Sequence, residues 1–201
     1  MGTYLNPSND KFQRSLNSKI YVDKSELISY TNEVIQTNQQ YMCVSRPRRF
    51  GKSMAIEMLS AYYGCQNTSH HQFDSLKIAE CSTYKLHLNK YNVICLNMQE
   101  FFSNSSNINQ MIDTLKKRLL FEIKMQNTEV LLFDETNLTF TLQDIYAQKK
   151  QPFVFLIDEW DCVFRESPKE EAGQKRYLDF LRDLLKDKEY TALVYMTGIL
   201  P

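Results

Sequence analysis

The stretch Arg46–Ser53 constrains the fold more than any other part of the chain, because it joins a short apolar run to a segment with helical patterning. It reads Arg-Pro-Arg-Arg-Phe-Gly-Lys-Ser, follows Tyr41–Val44 and precedes Met54–Tyr63. A buried strand that turns through Gly-Lys-Ser into a helix directs backbone N–H groups and the positive helix end at an anion. The lysine adds a point charge, and the serine hydroxyl suits a magnesium shell. The pattern therefore predicts a phosphate-binding loop that holds a nucleotide.

This loop departs from the usual G-x-x-x-x-G-K-[ST] pattern. Arg46 stands where the first glycine is expected, and Pro47 has no N–H to offer. The anion must then be held by amides from about Arg48 onward, and the four cations between Arg46 and Lys52 repel one another unless an anion neutralises them. The predicted nucleotide-binding residues are Arg48, Arg49, Phe50, Gly51, Lys52, Ser53 and Met54. A solvent-exposed basic turn is the alternative for the motif taken alone.

A second motif lies about a hundred residues later. The apolar run Phe153–Ile157 ends in Asp158 and Glu159. An aspartate at the tip of a buried strand holds magnesium in P-loop enzymes, and the adjacent glutamate suits a general base that activates water. An acidic turn after a strand is common, but both motifs in this order favour a P-loop nucleoside triphosphatase. We therefore predict ATP and Mg²⁺ as cofactors.

These motifs assign roles to individual side chains. Ser53 and Asp158 are the predicted magnesium ligands, and Glu159 and Lys52 are predicted catalytic residues. Thr197, at the end of a fourth strand pattern, is the third predicted catalytic residue, since a polar group there can sense the γ-phosphate or position water. The alternative for Thr197 is a loop or turn contact. Asp161 is expected either to support the site from behind or to cap a helix.

Four continuous apolar runs indicate strands that are covered on both faces, namely Tyr41–Val44, Asn92–Leu96, Phe153–Ile157 and Ala192–Met196. Helical patterns separate them, which favours an α/β fold, a three-layer sandwich around a mostly parallel sheet. Ser25 is expected to cap a helix, and the apolar Leu131–Phe133 run is expected in the core.

The predicted organisation is an N-terminal segment, residues 1–40, that packs near the nucleotide site, followed by an ATPase core at residues 41–201. Sheets of this type place a later strand on the other flank of the phosphate-loop strand. We therefore expect the core to be truncated after its fourth strand, incomplete at the C-terminus, or covered there by something else.

Composition limits the partners. The 201 residues carry 24 basic and 24 acidic side chains, so no global field favours nucleic acid or an anionic membrane. No apolar run is long enough to span a bilayer, so no membrane association is predicted. The five cysteines are scattered and never spaced as C-x-x-C, which indicates reduced thiols in a cytoplasmic protein.

Four segments together resemble the AAA-ATPase-like proteins of bacteria, namely Tyr21–Ser25, Arg46–Ser53, Leu156–Asp161 and Thr197–Pro201. The resemblance spans nearly the whole chain and includes the unusual Arg-Pro-Arg-Arg-Phe-Gly-Lys-Ser loop; Trp160 stands where the family more often has Tyr. Members of the family often carry a restriction-endonuclease-like nuclease domain further along the chain. The resemblance implies an ATP-binding domain of the additional-strand, catalytic-glutamate type, and it places Tyr21–Lys24 near the nucleotide.

The leading hypothesis is an ATPase that uses Mg²⁺-dependent ATP hydrolysis to switch the conformation of an attached effector, a C-terminal domain beyond this chain such as a nuclease. The sequence leaves two alternatives open: a regulatory module that binds nucleotide without hydrolysing it, and a P-loop kinase for a small molecule. DNA binding through the arginine cluster and assembly into a homo-oligomer are also left open.

Overall fold

The computed structural model describes residues 2–67 and 69–200. Its centre is a parallel sheet of four strands, β1 (Tyr41–Ser45), β2 (Asn92–Asn97), β3 (Phe153–Asp158) and β4 (Thr191–Gly198). The strands lie in the order β1-β4-β3-β2. The predicted α/β class with a parallel sheet is therefore confirmed. Because β4 is inserted between β1 and β3, the strand that carries the loop and the strand that carries the acidic pair are not neighbours.

Helices connect the strands and cover the sheet. The described residues form the α-helices α1 (Asp10–Leu16), α2 (Glu26–Val34), α3 (Lys52–Tyr63), α4 (His70–Phe73), α5 (Tyr84–His87), α6 (Met98–Ser103), α7 (Ile108–Gln126), α8 (Leu138–Lys149), α9 (Cys162–Glu166) and α10 (Glu171–Leu185). A 3₁₀ turn spans Lys77–Glu80. Within the described part of the chain, no helix is both long enough and apolar enough to cross a bilayer.

Alternate side chains of the central strands feed two separate hydrophobic cores. On β3, Phe153, Phe155 and Ile157 pack into the core that includes α7, α8 and α10. Val154 and Leu156 point to the opposite face and pack into the core that includes α2 and α3. All six residues of β3 are buried. This arrangement is the three layers, helix on sheet on helix, that continuous apolar strands require.

The expectation that every strand is covered on both faces is wrong for β1. Met42 and Val44 pack against the core on the α3 side, whereas Tyr41, Cys43 and Ser45 are exposed. The reason is position, since β1 is an edge strand with β4 on one side, and no described strand pairs with its other side. A later strand on that flank stays a prediction.

The opposite edge of the sheet is covered by the N-terminal residues. Cys95 N donates to Tyr4 O at 2.9 Å, and Asn6 N donates to Val93 O at 2.7 Å, so this segment runs antiparallel to β2. The Glu122 carboxylate on α7 fixes the segment, because it accepts hydrogen bonds from three successive backbone N–H groups. The first residues therefore protect an edge that would otherwise present unpaired backbone groups.

Two further expectations about local structure are met only in part. Ser25 is the N-cap residue of α2, as expected, but its hydroxyl oxygen accepts a hydrogen bond from Ile78 N at 3.1 Å and makes no cap hydrogen bond. Of the Leu131–Phe133 run, only Leu132 packs against the core, where it is partly buried, whereas Leu131 is 83% exposed and Phe133 is 87% exposed. By contrast, Asn107 caps α7 as an N-cap asparagine should, accepting from Gln110 N at 2.9 Å.

Candidate functional site

The two predicted motifs meet at the carboxyl ends of the parallel strands. β1 ends at Ser45 and leads into the loop that opens α3, while β3 ends at Asp158. The loop turns through two residues with left-handed backbone, Arg49 at φ 68° and Gly51 at φ 78°. Glycine adopts this conformation without steric cost. A Cβ on Gly51 would also lie 3.2 Å from Lys24 Nζ, so this position favours glycine on both counts.

The Asp158 carboxylate is the centre of the site. It is only 5% exposed and accepts three hydrogen bonds. Ser53 Oγ donates to its Oδ2 at 2.5 Å, Thr197 Oγ1 donates to its Oδ1 at 2.5 Å, and Glu159 N donates to Oδ1 at 3.0 Å. Ser53, at the start of α3, and Thr197, near the end of β4, thus converge on the carboxylate at the end of β3.

Lys52 is buried and turned back over the loop. Its Nζ donates to Arg46 O at 2.9 Å and to Pro47 O at 3.2 Å. The same Nζ lies 3.9 Å from Glu159 Oε1. Carbonyl groups are neutral acceptors, so an anionic phosphate would compete well for this ammonium group. An anionic ligand in this loop would therefore replace the two carbonyl groups as the hydrogen-bond acceptor of Lys52.

A cavity of about 600 Å³ lies over these groups, a volume typical of small-molecule sites. The residues that line it are Arg48, Arg49, Gly51, Lys52, Ser53, Met54, Asn97, Gln99, Asp158, Glu159 and Glu166. The predicted site residues Phe50 and Thr197 do not line it. Phe50 is 59% exposed, and Thr197 is buried behind Asp158.

Sequence reasoning missed three of the lining residues. Asn97 is the last residue of β2, so the parallel register that pairs it with Asp158 brings it to the same edge. Gln99 follows at the start of α6, and Glu166 ends α9. The rule that ligands bind at the carboxyl ends of parallel strands could have identified Asn97, because the second strand was predicted to end close to it.

The segment Tyr21–Ser25 lies against the outer side of the loop. Lys24 Nζ donates to Phe50 O at 3.4 Å. The segment is fixed from behind, since Asp23 accepts hydrogen bonds from Ser25 N at 2.8 Å and Lys77 N at 2.9 Å. These bonds lower the pKa of Asp23, although burial by itself would raise it. Asp23 therefore anchors the segment, whereas its neighbour Lys24 contacts the loop.

Asp161 joins the end of β4 to the site. Its buried Oδ2 accepts hydrogen bonds from Ile199 N at 2.8 Å and Leu200 N at 2.7 Å. Of the two expectations for this residue, the N-cap position is confirmed, since Asp161 is the N-cap residue of α9, although its side chain makes no cap hydrogen bond. The chain that leaves β4 is instead tied to the loop that follows the acidic pair.

Neutral groups surround the carboxylate on the sheet side. Burial raises the pKa of Cys95 to about 12 and that of Tyr195 to about 12, and in both cases the charge of Asp158 adds to the effect. Burial also raises the pKa of Glu57, which lies one helical turn after Ser53. The Cys95 thiol and the Tyr195 phenol are therefore protonated and uncharged at neutral pH. The charged groups of this region are the cations of the loop and the acidic pair.

Residues of the site fit a magnesium ion bound together with phosphate. Mg²⁺ takes oxygen ligands and is held by one or two carboxylates, with phosphates and water completing its shell. The Ser53 hydroxyl and the Asp158 carboxylate already touch, so both oxygens can serve one ion. Among residues 2–67 and 69–200, no group of three His, Cys, Asp or Glu side chains is arranged to hold a metal alone.

Comparison with known proteins gives one match. The profile of the AAA-ATPase-like family, described as "Predicted AAA-ATPase", matches residues 10–201. No curated protein and no solved structure matches the chain. The matched range includes the loop, the acidic pair and the end of β4, so it contains every residue of the cavity.

Proposed function

Because the chain belongs to the family of predicted AAA-ATPases, we propose that the cavity binds ATP with Mg²⁺ and that the site hydrolyses it. The contact between Ser53 and Asp158 is the observation that carries the proposal. These residues are separated by 105 positions in the sequence, yet their oxygens lie 2.5 Å apart. A loop hydroxyl and a strand-end carboxylate in contact are what a magnesium ion bound to a triphosphate requires.

In this proposal the loop amides between Arg48 and Ser53 surround the phosphates, and the arginines add positive charge at the rim. Lys52 gives up the carbonyls of Arg46 and Pro47 and donates to the phosphates. Ser53 and Asp158 hold Mg²⁺, which when bound neutralises phosphate charge. Thr197 keeps the Asp158 carboxylate oriented through its hydrogen bond. Each role uses an atom that already faces the cavity or touches a group that does.

Glu159 is the proposed general base. It lines the cavity, and its Oε1 lies 3.9 Å from Lys52 Nζ, the group assigned to the phosphates. Its backbone has a left-handed φ of 53°, a strained conformation for a residue with a Cβ. The insertion of β4 between β1 and β3 supports the additional-strand, catalytic-glutamate type of P-loop domain. Water is then the phosphoryl acceptor.

The N-terminal segment is proposed to form the base side of the nucleotide site. Tyr21, Val22 and Lys24 line a shallow depression together with Gly51 and Met54. These residues extend the surface of the loop, and in this proposal the base and ribose lie over them. This placement supports the proposal that residues 1–40 pack near the nucleotide, while residues 41–201 form the core.

Coupling to an effector is proposed from the connection at the end of β4. Thr197 touches the metal-binding carboxylate, and Asp161 holds the backbone of Ile199 and Leu200. A change at the phosphates would therefore reach the chain after β4. A C-terminal nuclease as the effector, DNA as its target, a homo-oligomeric assembly and a cytoplasmic location remain parts of this proposal.

Calorimetric titration with ATP and Mg²⁺, followed by measurement of phosphate release, tests the proposal. Lys52→Ala and Asp158→Asn should each weaken binding by about 10- to 100-fold, the range of one charge-assisted hydrogen bond. Glu159→Gln should bind ATP but release no phosphate. The matched control is Lys77→Ala, which removes an exposed lysine paired with Glu26. A folded wild-type protein that binds no ATP would refute the proposal.

The products separate the alternatives. Release of inorganic phosphate without any added acceptor supports hydrolysis. Tight ATP binding with no turnover in the wild type supports a regulatory module instead. Formation of ADP only with a small-molecule acceptor, and without free phosphate, supports a kinase.

A further inference from the structure

Arg165 on α9 is a largely buried cation among three carboxylates. Its side chain is 14% exposed, and its Nη2 forms an ion pair with Glu159 Oε2. Its Nε lies 3.4 Å from Asp161 Oδ1, and its Nη1 lies 3.8 Å from Glu166 Oε1. Two of these carboxylates, Glu159 and Glu166, line the proposed nucleotide cavity. The arginine therefore lies directly behind the wall that would face the phosphates.

Glu159 lies between two cations that have different tasks. Its Oε2 is held by Arg165, and its Oε1 is 3.9 Å from Lys52 Nζ. That distance is within the range of an ion pair but too long for a hydrogen bond, and the hydrogen bonds of Lys52 go to loop carbonyls. Without Arg165, the nearest cation for the Glu159 carboxylate would be Lys52, the same ammonium group that a phosphate needs.

We infer that Arg165 is a positioning residue of the nucleotide site, which holds Glu159 through Oε2 and so keeps its carboxylate beyond hydrogen-bond distance of Lys52. This inference rests on the proposed function. Arg165 also neutralises a negative charge that would otherwise repel the triphosphate at short range. Oε1 stays directed at the cavity, where the attacking water must lie, while Lys52 stays available for phosphate.

The alternative is that Arg165 only stabilises the fold by neutralising the buried Asp161. The two explanations differ in what they predict when Glu159 is also changed. If Arg165 acts through Glu159, removing the negative charge of Glu159 makes the arginine unnecessary for ATP binding. If it acts through Asp161, removing Arg165 costs the same ATP affinity whether or not Glu159 is changed.

The experiment is a double-mutant cycle of ATP affinity, measured by calorimetry with Mg²⁺ on the wild type, Arg165→Met, Glu159→Gln and the double variant. We expect R165M to weaken binding about tenfold, a coupling usual for residues within one ion-pair network. The double variant should bind ATP within about twofold of E159Q alone. If the two changes were additive, it would instead bind about tenfold more weakly than E159Q. The control is Arg176→Met, which removes an exposed arginine paired with Asp113 at 3.3 Å.

R165M that binds ATP like the wild type would overturn the inference, and so would a double variant as weak as R165M. Should R165M fail to fold, Arg165→Lys replaces it in the same cycle, because lysine keeps the charge but lacks the planar donor fork. R165K should then show a smaller loss that E159Q again removes. A wild type that binds no ATP would refute the proposed function itself, whereas normal wild-type binding with unaffected variants would refute only the role of Arg165.

Discussion

Replacing Thr197 by valine tests how the end of β4 serves Asp158, the proposed metal-binding carboxylate. Valine has the shape of threonine, and Thr197 is 1% exposed, so the change leaves no cavity and removes one hydroxyl group. The lost interaction is the hydrogen bond from Oγ1 to Asp158 Oδ1, which is 2.5 Å long. That oxygen keeps a second donor, Glu159 N at 3.0 Å, so the carboxylate remains partly satisfied.

The size of the effect follows from these contacts. A hydrogen bond to a charged group contributes about 1.5–3 kcal/mol to stability. Part of this loss is offset, because a methyl group is easier to bury than a hydroxyl group. The free energy of unfolding of T197V should therefore fall by about 1–2 kcal/mol. For a chain of 201 residues, about 1 kcal/mol corresponds to about 2–4 °C, so T197V should melt about 2–8 °C below the wild type.

The binding assay separates two roles for the hydroxyl. If it orients Asp158, T197V should weaken ATP binding about tenfold with Mg²⁺ and leave the weaker binding in a chelator unchanged, because only the ion uses the carboxylate. Thr197→Ser, which keeps the hydroxyl, should bind like the wild type with Mg²⁺. Equal losses for T197V with and without Mg²⁺ would refute this reasoning and favour a direct contact with phosphate.

Three further predictions concern the surroundings of the site. Asp23→Asn should lower the free energy of unfolding by about 1 kcal/mol, because an amide replaces one of two oxygens that accept backbone N–H groups. Since the pKa of Asp23 is lowered in the folded state, this stabilisation is present above pH 3.8 and is lost as the pH falls below it. Urea unfolding curves of D23N and the wild type should therefore converge in acid. Lys24→Met should weaken ATP binding a few-fold, about 1 kcal/mol for one exposed charge, with a normal melting temperature; an unchanged affinity would remove Lys24 from the site. A thiol reagent at mildly alkaline pH should label Cys43 before Cys95 and Cys162, because Cys43 is exposed and, although burial raises the pKa of all three thiols, it raises those of Cys95 and Cys162 to about 12; loss of the fast phase in Cys43→Ser would verify this, and its persistence would contradict the assignment.

Sequence patterns located the four strands and the two motifs because both depend on local order. A short continuous apolar run bounded by turn signals is consistent with a strand, and Gly-Lys-Ser before a helical pattern forms a turn from its own backbone preferences. The order of the motifs was enough to predict that Ser53 and Asp158 belong to one site, since parallel strands bring their carboxyl ends to one edge. The class of fold and most of the cavity wall were therefore predictable.

Tertiary structure decided the matters that depend on which strands are neighbours. Pairing order made β1 an edge strand and buried Thr197 behind Asp158, and neither fact is visible in residues whose apolar patterns look alike. Leu131 and Phe133 are exposed, whereas Leu132 between them packs against the core, and the sequence does not distinguish these three apolar residues. The ion pair between Arg165 and Glu159 was beyond sequence reasoning, because an arginine has many acidic neighbours in the chain and only the fold selects which of them it touches. Local order fixes elements and motifs, whereas contacts between distant residues are set by how the elements pack.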